Sequence, residues 1–182
     1  MSGPLPRSVA WRATARCMAR SLVLLARRQV VWPRGTVGWY LTFADGTVGR
    51  VYRETAVALE PKEPCVLVVT FRLRWVRGRG HAVFERESVL NTPLFVGYDG
   101  FVSKLWLAHD DRGRYRGLYE WDGAEQAEYY ARSLWRVLEL VSEPGSIDYH
   151  VVPDVRRDTL LADPDRDTAA GTHPWWRVVE AP

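Results

Sequence analysis

Residues 100–121 read GFVSKLWLAHDDRGRYRGLYEW, and the fold turns on this stretch. Two β-prone runs, 101–109 and 115–121, flank Asp110-Asp111-Arg112-Gly113-Arg114, a connection of hairpin length. Upstream, 66–75 alternates Leu67, Val69, Phe71, Leu73 and Trp75 with Thr70, Arg72 and Arg74, the period of a half-buried strand. Gly78 and Gly80 break that strand, and 81–90 follows as a short helix. Pro93 interrupts it, leaving Asn91 or Thr92 to cap a further turn through 94–96. Downstream, Asp122 and Glu125 stand in capping-box spacing ahead of a helix over 124–141. Its buried stripe is Ala127, Tyr130, Ala131, Leu134, Leu138 and Val141, with Glu128 and Arg132 paired on the wet side. Pro144-Gly145 ends the helix, and 147–152 is a last strand. The order β-α-β-β-α-β predicts an α+β, ferredoxin-like domain over 65–155, a four-stranded antiparallel sheet with two helices on one face. Its other face is left bare and must meet a second copy, a ligand or solvent.

Three segments surround that domain. Residues 36–64 read as a β-hairpin extension and loop, 36–43 and 47–55 joined through Ala44-Asp45-Gly46. Residues 1–35 form a basic arm in which Trp11, Ala15, Met18, Leu22 and Leu25 recur at helical spacing beside Arg12, Arg16, Arg20 and Arg27. That pattern allows an amphipathic helix on an anionic membrane or a partner, but its thin, Ala-rich apolar face favours a loosely ordered terminus. Residues 156–182 form a tail. It is expected to hold a short helix within 154–162, an acidic turn over 163–167 and an edge strand from Trp175 to Val179.

The charge balance excludes several function classes. Lys occurs only at Lys62 and Lys104, so the other 23 of the 25 basic residues are Arg. Residues 1–44 hold seven Arg and no acid, which gives the body from residue 45 a net charge of −4 against a total of +3. A nucleic-acid reader would concentrate basic charge on its folded face, so no nucleic-acid partner is expected. Two cysteines, Cys17 and Cys65, fit a reducing cytoplasm. No apolar run approaches the ~18–20 residues of a membrane span. Metal-ligand spacing, a Walker loop, GxGxxG and GxSxG are all missing, and no cofactor is expected.

The run Gly100-Phe101-Val102-Ser103-Lys104-Leu105-Trp106, then Arg116-Gly117-Leu118-Tyr119-Glu120-Trp121 and a helix opening Ala124-Glu125-Gln126-Ala127, resembles the monooxygenase-like group of the dimeric α/β-barrel superfamily, which includes antibiotic-biosynthesis monooxygenases. The resemblance covers about 65–155. It implies a homodimer whose subunits press bare sheet faces together. Each subunit would keep a pocket for a small hydrophobic or aromatic ligand between sheet and helices. The cofactor-free oxygenases of that superfamily deprotonate an electron-rich, often phenolic substrate before it meets dioxygen. Its haem-degrading members use an Asn on the first strand, a Trp near the third and a His on the second helix. Only Trp121 corresponds here, which argues against haem degradation.

Lys104 is the leading catalytic candidate, either as a pocket cation beside a developing anion or as an interface lysine paired with Asp148 or Glu120. His150 and His109 are the acid–base candidates of the sheet; His81 lies i,i+4 from Glu85, and His173 lies in the tail. Trp106, Tyr119 and Trp121 are candidate aromatic walls, and Arg72 and Arg74 could bind a carboxylate or ion-pair between subunits. The register of 115–121 leaves open whether Tyr119 and Trp121 or Leu118 and Glu120 face the pocket. The competing reading is a non-catalytic ligand-binding or protein-interaction module.

Overall fold

The computed structural model describes residues 3–76, 78–163 and 174–182. The expected acidic turn beyond Asp163, and His173, lie outside them. The ferredoxin-like elements are strand β4 (Pro64–Arg72), helix α2 (Arg79–Glu87), β5 (Phe101–Leu107), β6 (Arg114–Asp122), α3 (Ala124–Leu138) and β7 (Asp148–Val152). Their order in the sheet is β7-β4-β6-β5, every neighbour antiparallel. This is the spatial order that two right-handed split crossovers impose on a βαββαβ chain.

The sheet does not stop at four strands. The hairpin β2 (Tyr40–Phe43) and β3 (Val48–Val57) joins it through β3, which pairs with β5 along Val51–Ala56. β1 (Val30–Val31) also pairs with β3, and β8 (Val178–Glu180) pairs with β2. The result is an eight-stranded curled sheet. The edge strand expected from Trp175 begins three residues later, with Trp176 in a 3-10 turn.

The face away from the helices is covered from within. Leu160 and Leu161 of α4 (Arg157–Ala162) and Trp176 pack with Leu41, Phe43, Val66, Val68, Leu105 and Leu118 in one buried cluster. The physical motive for a second copy on this face is therefore met by the chain itself. A buried ionic layer ties it down: Arg157 donates to Glu54 at 2.8 Å and to Ser103 at 2.9 Å, while the Thr36 hydroxyl donates to Glu54 at 2.7 Å.

The arm departs from the loosely ordered terminus expected of it. Arg7–Ala26 is a helix, α1, packed against α3 and the loop after α2. It buries Ala10, Thr14, Cys17 and Ser21, whereas Trp11, Met18 and Leu22 of the expected apolar stripe are exposed. Small residues win because the approach is close: a Cβ on Gly97 would stand 2.2 Å from the Cys17 carbonyl oxygen.

Other local expectations shift for identifiable reasons. The first strand ends at Arg72, and Trp75 has a left-handed backbone with φ 63. Helix α2 runs straight into a 3-10 turn over Ser88–Leu94 that includes Pro93, with no Asn91 or Thr92 cap opening a new helix. Asp122 does not cap α3. Its carboxylate accepts the backbone N–H groups of Lys62 and Glu63 at 2.8 Å each, and Gly123 at φ 102 occupies the N-cap. Glu128 accepts from the Tyr149 hydroxyl and Arg132 donates to the Gly3 carbonyl, so the Glu128–Arg132 pair is not made.

Candidate functional site

Between the helix-side face of the sheet and the helices lies a cavity of about 390 Å³. Strand parity builds its floor. Lys104 and Trp106 of β5 project to the same side as Tyr115, Gly117 and Tyr119 of β6, and the ladder sets Lys104 opposite Tyr119 and Trp106 opposite Gly117. The register thus resolves the open alternative in favour of Tyr119. Tyr52 of β3 forms one wall, and Phe95, Tyr130 and Leu134 form the roof. The exposed side chains of Trp75, Leu140 and Val141 also line it and bring it to solvent.

Lys104 is its decisive polar group. The residue is 8% exposed, and its Nζ lies 3.2 Å from the Trp106 ring centroid, 4.7 Å from that of Phe95 and 4.8 Å from that of Tyr119. No carboxylate among the described residues pairs with it. Glu120 lies on the opposite face, ion-paired with Arg156, and Asp148 is three strands away on β7. Burial, and then the Arg53 guanidinium, push the ammonium well below the ordinary lysine range. Arg53 itself donates to the Ser88 hydroxyl and to the Glu85 and Arg86 carbonyls.

The aromatic walls are fixed in place. The Trp106 indole nitrogen donates to the Thr55 hydroxyl at 3.1 Å, and its ring meets Phe95 edge-on. The Tyr130 hydroxyl donates to that of Tyr119 at 3.2 Å. Burial pushes the Tyr119 phenol up, against the opposing effect of that hydrogen bond. Tyr52, whose hydroxyl donates to Ser88, is pushed up to about 12, again by burial first. Gly117 is needed for close approach, since a Cβ there would meet the Tyr119 ring at 2.6 Å.

A second polar group stands at one side of the cavity. The Tyr115 hydroxyl and His81 Nδ1 are 2.7 Å apart, and the His81 ring stacks on His109 at 3.9 Å. Glu85 approaches His109 at 4.0 Å and is ion-paired with Arg50 at 3.1 Å. His81 is held below its ordinary value by burial first and by the adjoining His109 second. The expected His81–Glu85 pair thus becomes a Tyr115–His81–His109–Glu85 chain. Among the described residues no group of three or more His, Cys, Asp or Glu could hold a metal ion.

The sequence candidates divide accordingly. Lys104, Trp106 and Tyr119 come together. Trp121 shares their face but packs between Phe101 and Tyr130 in the core, away from the lining. Arg74 reaches the cavity edge, where its guanidinium donates to the Ser142 carbonyl and lies over Trp75. Arg72 pairs with Glu143 at the surface. His150 is not part of the site. It is opposite Val68 in the ladder, on the other face, and stacks on Trp176 at 4.0 Å. Tyr52, Phe95 and Tyr115 escaped the sequence reading as site residues, and Tyr130 entered it only in the buried stripe of α3. Tyr52 sits in a strand the resemblance left outside the domain, and only the alternation of Val51, Tyr52 and Arg53 hinted at a wall residue.

Fold and site together define a class: a ferredoxin-like α+β chain that carries an aromatic, lysine-bearing cavity between sheet and helices. No family model and no curated protein matches the sequence. Among solved structures the chain is similar to a major regulator of staphylococcal pathogenesis, at 9% identity and TM-score 0.43 over 74% of this chain and 91% of that one. It is also similar to a ferredoxin-fold protein from Listeria monocytogenes related to antibiotic biosynthesis monooxygenases, at 12% identity and TM-score 0.38 over 74% and 88%. No helix among the described residues is long and apolar enough to cross a membrane.

Proposed function

We propose that this chain binds a small aromatic molecule with an acidic hydroxyl in the cavity, where Lys104 takes the hydroxyl's proton. The carrying observation is a buried amine with no carboxylate partner among the described residues, facing a cavity of about 390 Å³ lined mainly by aromatic and aliphatic side chains. Such a cavity is large enough for a drug-sized aromatic group and supplies little polar competition. Burial weakens the amine as a base in the empty cavity, and an acidic phenol that enters supplies the anion that an ammonium lacks there. The ammonium and phenolate then formed neutralise each other where water is scarce. An electron-rich phenolate is the species that cofactor-free oxygenation requires, so monooxygenase-like turnover is the catalytic form of this reading. An interaction module would have filled the same space with side chains, and the cavity speaks against that alternative. The site is complete within one chain, and any homodimer would form through surfaces other than the face covered by Leu160, Leu161 and Trp176.

The test uses a naphthol, whose neutral and ionised forms absorb at different wavelengths. Titrated into the protein at neutral pH, it should bind and show the ionised spectrum. With Lys104→Met it should bind and show the neutral spectrum. Identical spectra with both proteins, or no binding to either, would overturn the proposal.

A further inference from the structure

The surroundings of Lys104 suit a second reaction of the same amine. A protonated lysine at this position has three ring faces and, among the described residues, no anion to oppose its charge. The charge that acts on it is another cation, Arg53. A neutral amine needs no counterion, and its lone pair is a nucleophile. The cavity is lined chiefly by carbon, with Phe71, Leu73, Leu94 and Leu134 around the aromatic group, which favours an uncharged ligand over a carboxylate or phosphate. Opposite Lys104 on the ladder, Tyr119 shares a hydroxyl pair with Tyr130 that can lend and recover a proton.

Resting on the reading of this cavity as a small-molecule site, we infer that Lys104 forms an imine with an aldehyde or ketone group carried by an apolar, aryl-bearing ligand. The nitrogen lone pair adds to the carbonyl carbon, making the C–N bond, while the carbonyl π pair moves to oxygen. The nitrogen gives up one proton and the oxygen gains one, through the Tyr119–Tyr130 hydroxyls. The carbinolamine then loses its hydroxyl as water, with a proton from the same pair, as the second nitrogen proton departs and C=N forms. The sum is amine plus carbonyl giving imine plus water, with no oxidant or reductant consumed.

The sequence supplies an internal control. Lys62, the other lysine, is exposed on the loop before β4. The full chain is incubated at pH 7 with 2-naphthaldehyde and cyanoborohydride, which reduces any imine to a stable amine, and labelled peptides are quantified by mass spectrometry. Labelling of Lys104 should exceed that of Lys62 at least tenfold. Lowering the pH from 9 to 7 should slow Lys62 by about a hundredfold, because an ordinary lysine loses a factor of ten in free amine per pH unit, and should slow Lys104 far less. Equal labelling of the two lysines, or labelling of Lys62 alone, would overturn the imine. Because both lysines are compared in the same wild-type molecules, no variant has to fold. Naphthol binding measured on the same samples separates the two claims: binding with unlabelled Lys104 overturns only the imine, whereas neither binding nor label overturns the cavity reading as well.

Discussion

The Lys104 amine lies 3.2 Å from the centroid of the Trp106 ring, two residues along the same strand. This contact compensates only part of what burial costs an ammonium group, since cation–π attraction is worth about 2 kcal/mol when desolvated. Lys104→Met keeps the volume and removes the amine, and it should raise the unfolding free energy at pH 7 by about 1–3 kcal/mol. The sign with pH follows from the lowered value of Lys104. Between its folded value and the ordinary 10.5 the unfolded chain binds more protons, so wild-type stability climbs with pH over that window. The advantage of Lys104→Met should therefore shrink from pH 7 to pH 9.5. Urea denaturation at both pH values checks this, and a gap that stays constant would show that Lys104 titrates normally.

Gly117→Ala should disturb the cavity floor. The added Cβ would stand 2.6 Å from the buried Tyr119 ring, which has no open space to retreat into except the cavity itself. Overpacking of this kind costs about 1–3 kcal/mol. Thermal unfolding should record the loss, and naphthol binding should weaken at least tenfold. Unchanged binding would place the ligand elsewhere.

Helix α2 should loosen in mild acid. It buries no residue of its own and is fastened by the His81–Tyr115 contact, the His81–His109 stack and Glu85 with Arg50. His81 titrates below its ordinary 6.5 in the folded chain, so its contribution is present at neutral pH and is lost as pH falls through 6.5 and below. Hydrogen exchange over 79–87, corrected for intrinsic rates, should quicken between pH 7 and pH 5.5 relative to α3. His81→Gln should flatten that dependence, and a dependence that survives the substitution would assign it to another group.

Arg116 should be among the costliest charges to remove. Its guanidinium is buried, donating to Asp110 at 2.8 Å and Asp45 at 2.9 Å while lying 4.3 Å from the Phe43 centroid. Arg116→Met would remove the buried cation from Asp110 and Asp45 and leave them only the less buried Arg114, at 3.6 and 3.0 Å, a loss of about 3 kcal/mol. The double variant Asp110→Asn with Arg116→Met should recover part of it. Chemical denaturation that finds less than 1 kcal/mol would mean water reaches the pair.

Much of this arrangement was legible because strands have a period of two. Lys104 and Trp106 share a face whatever the tertiary packing, and so do Tyr119 and Trp121, but only the register of the β5–β6 ladder puts the two pairs on the same side. His150 was not legible in the same way. Its side depends on the register between β7 and β4, where it falls opposite Val68, and no local signal sets that register. The docked face of α1 was misread for a different reason. Apolar periodicity points to Trp11, Met18 and Leu22, but two helices approaching closely select Ala10, Thr14, Cys17 and Ser21. The extent of the sheet was also hidden. The partner of β5 is a strand of the preceding hairpin, and such long-range pairing leaves no trace in composition.

The central claim is that the cavity beside Lys104 is a small-molecule site, and a crystal structure of the full chain soaked with a naphthol tests it most directly. The account predicts the ring between Phe95, Trp106 and Tyr119, with its hydroxyl oxygen within about 2.6–3.2 Å of Lys104 Nζ. A naphthol bound only at the outer surface, or ring density in the cavity with its oxygen turned away from Lys104, would contradict it.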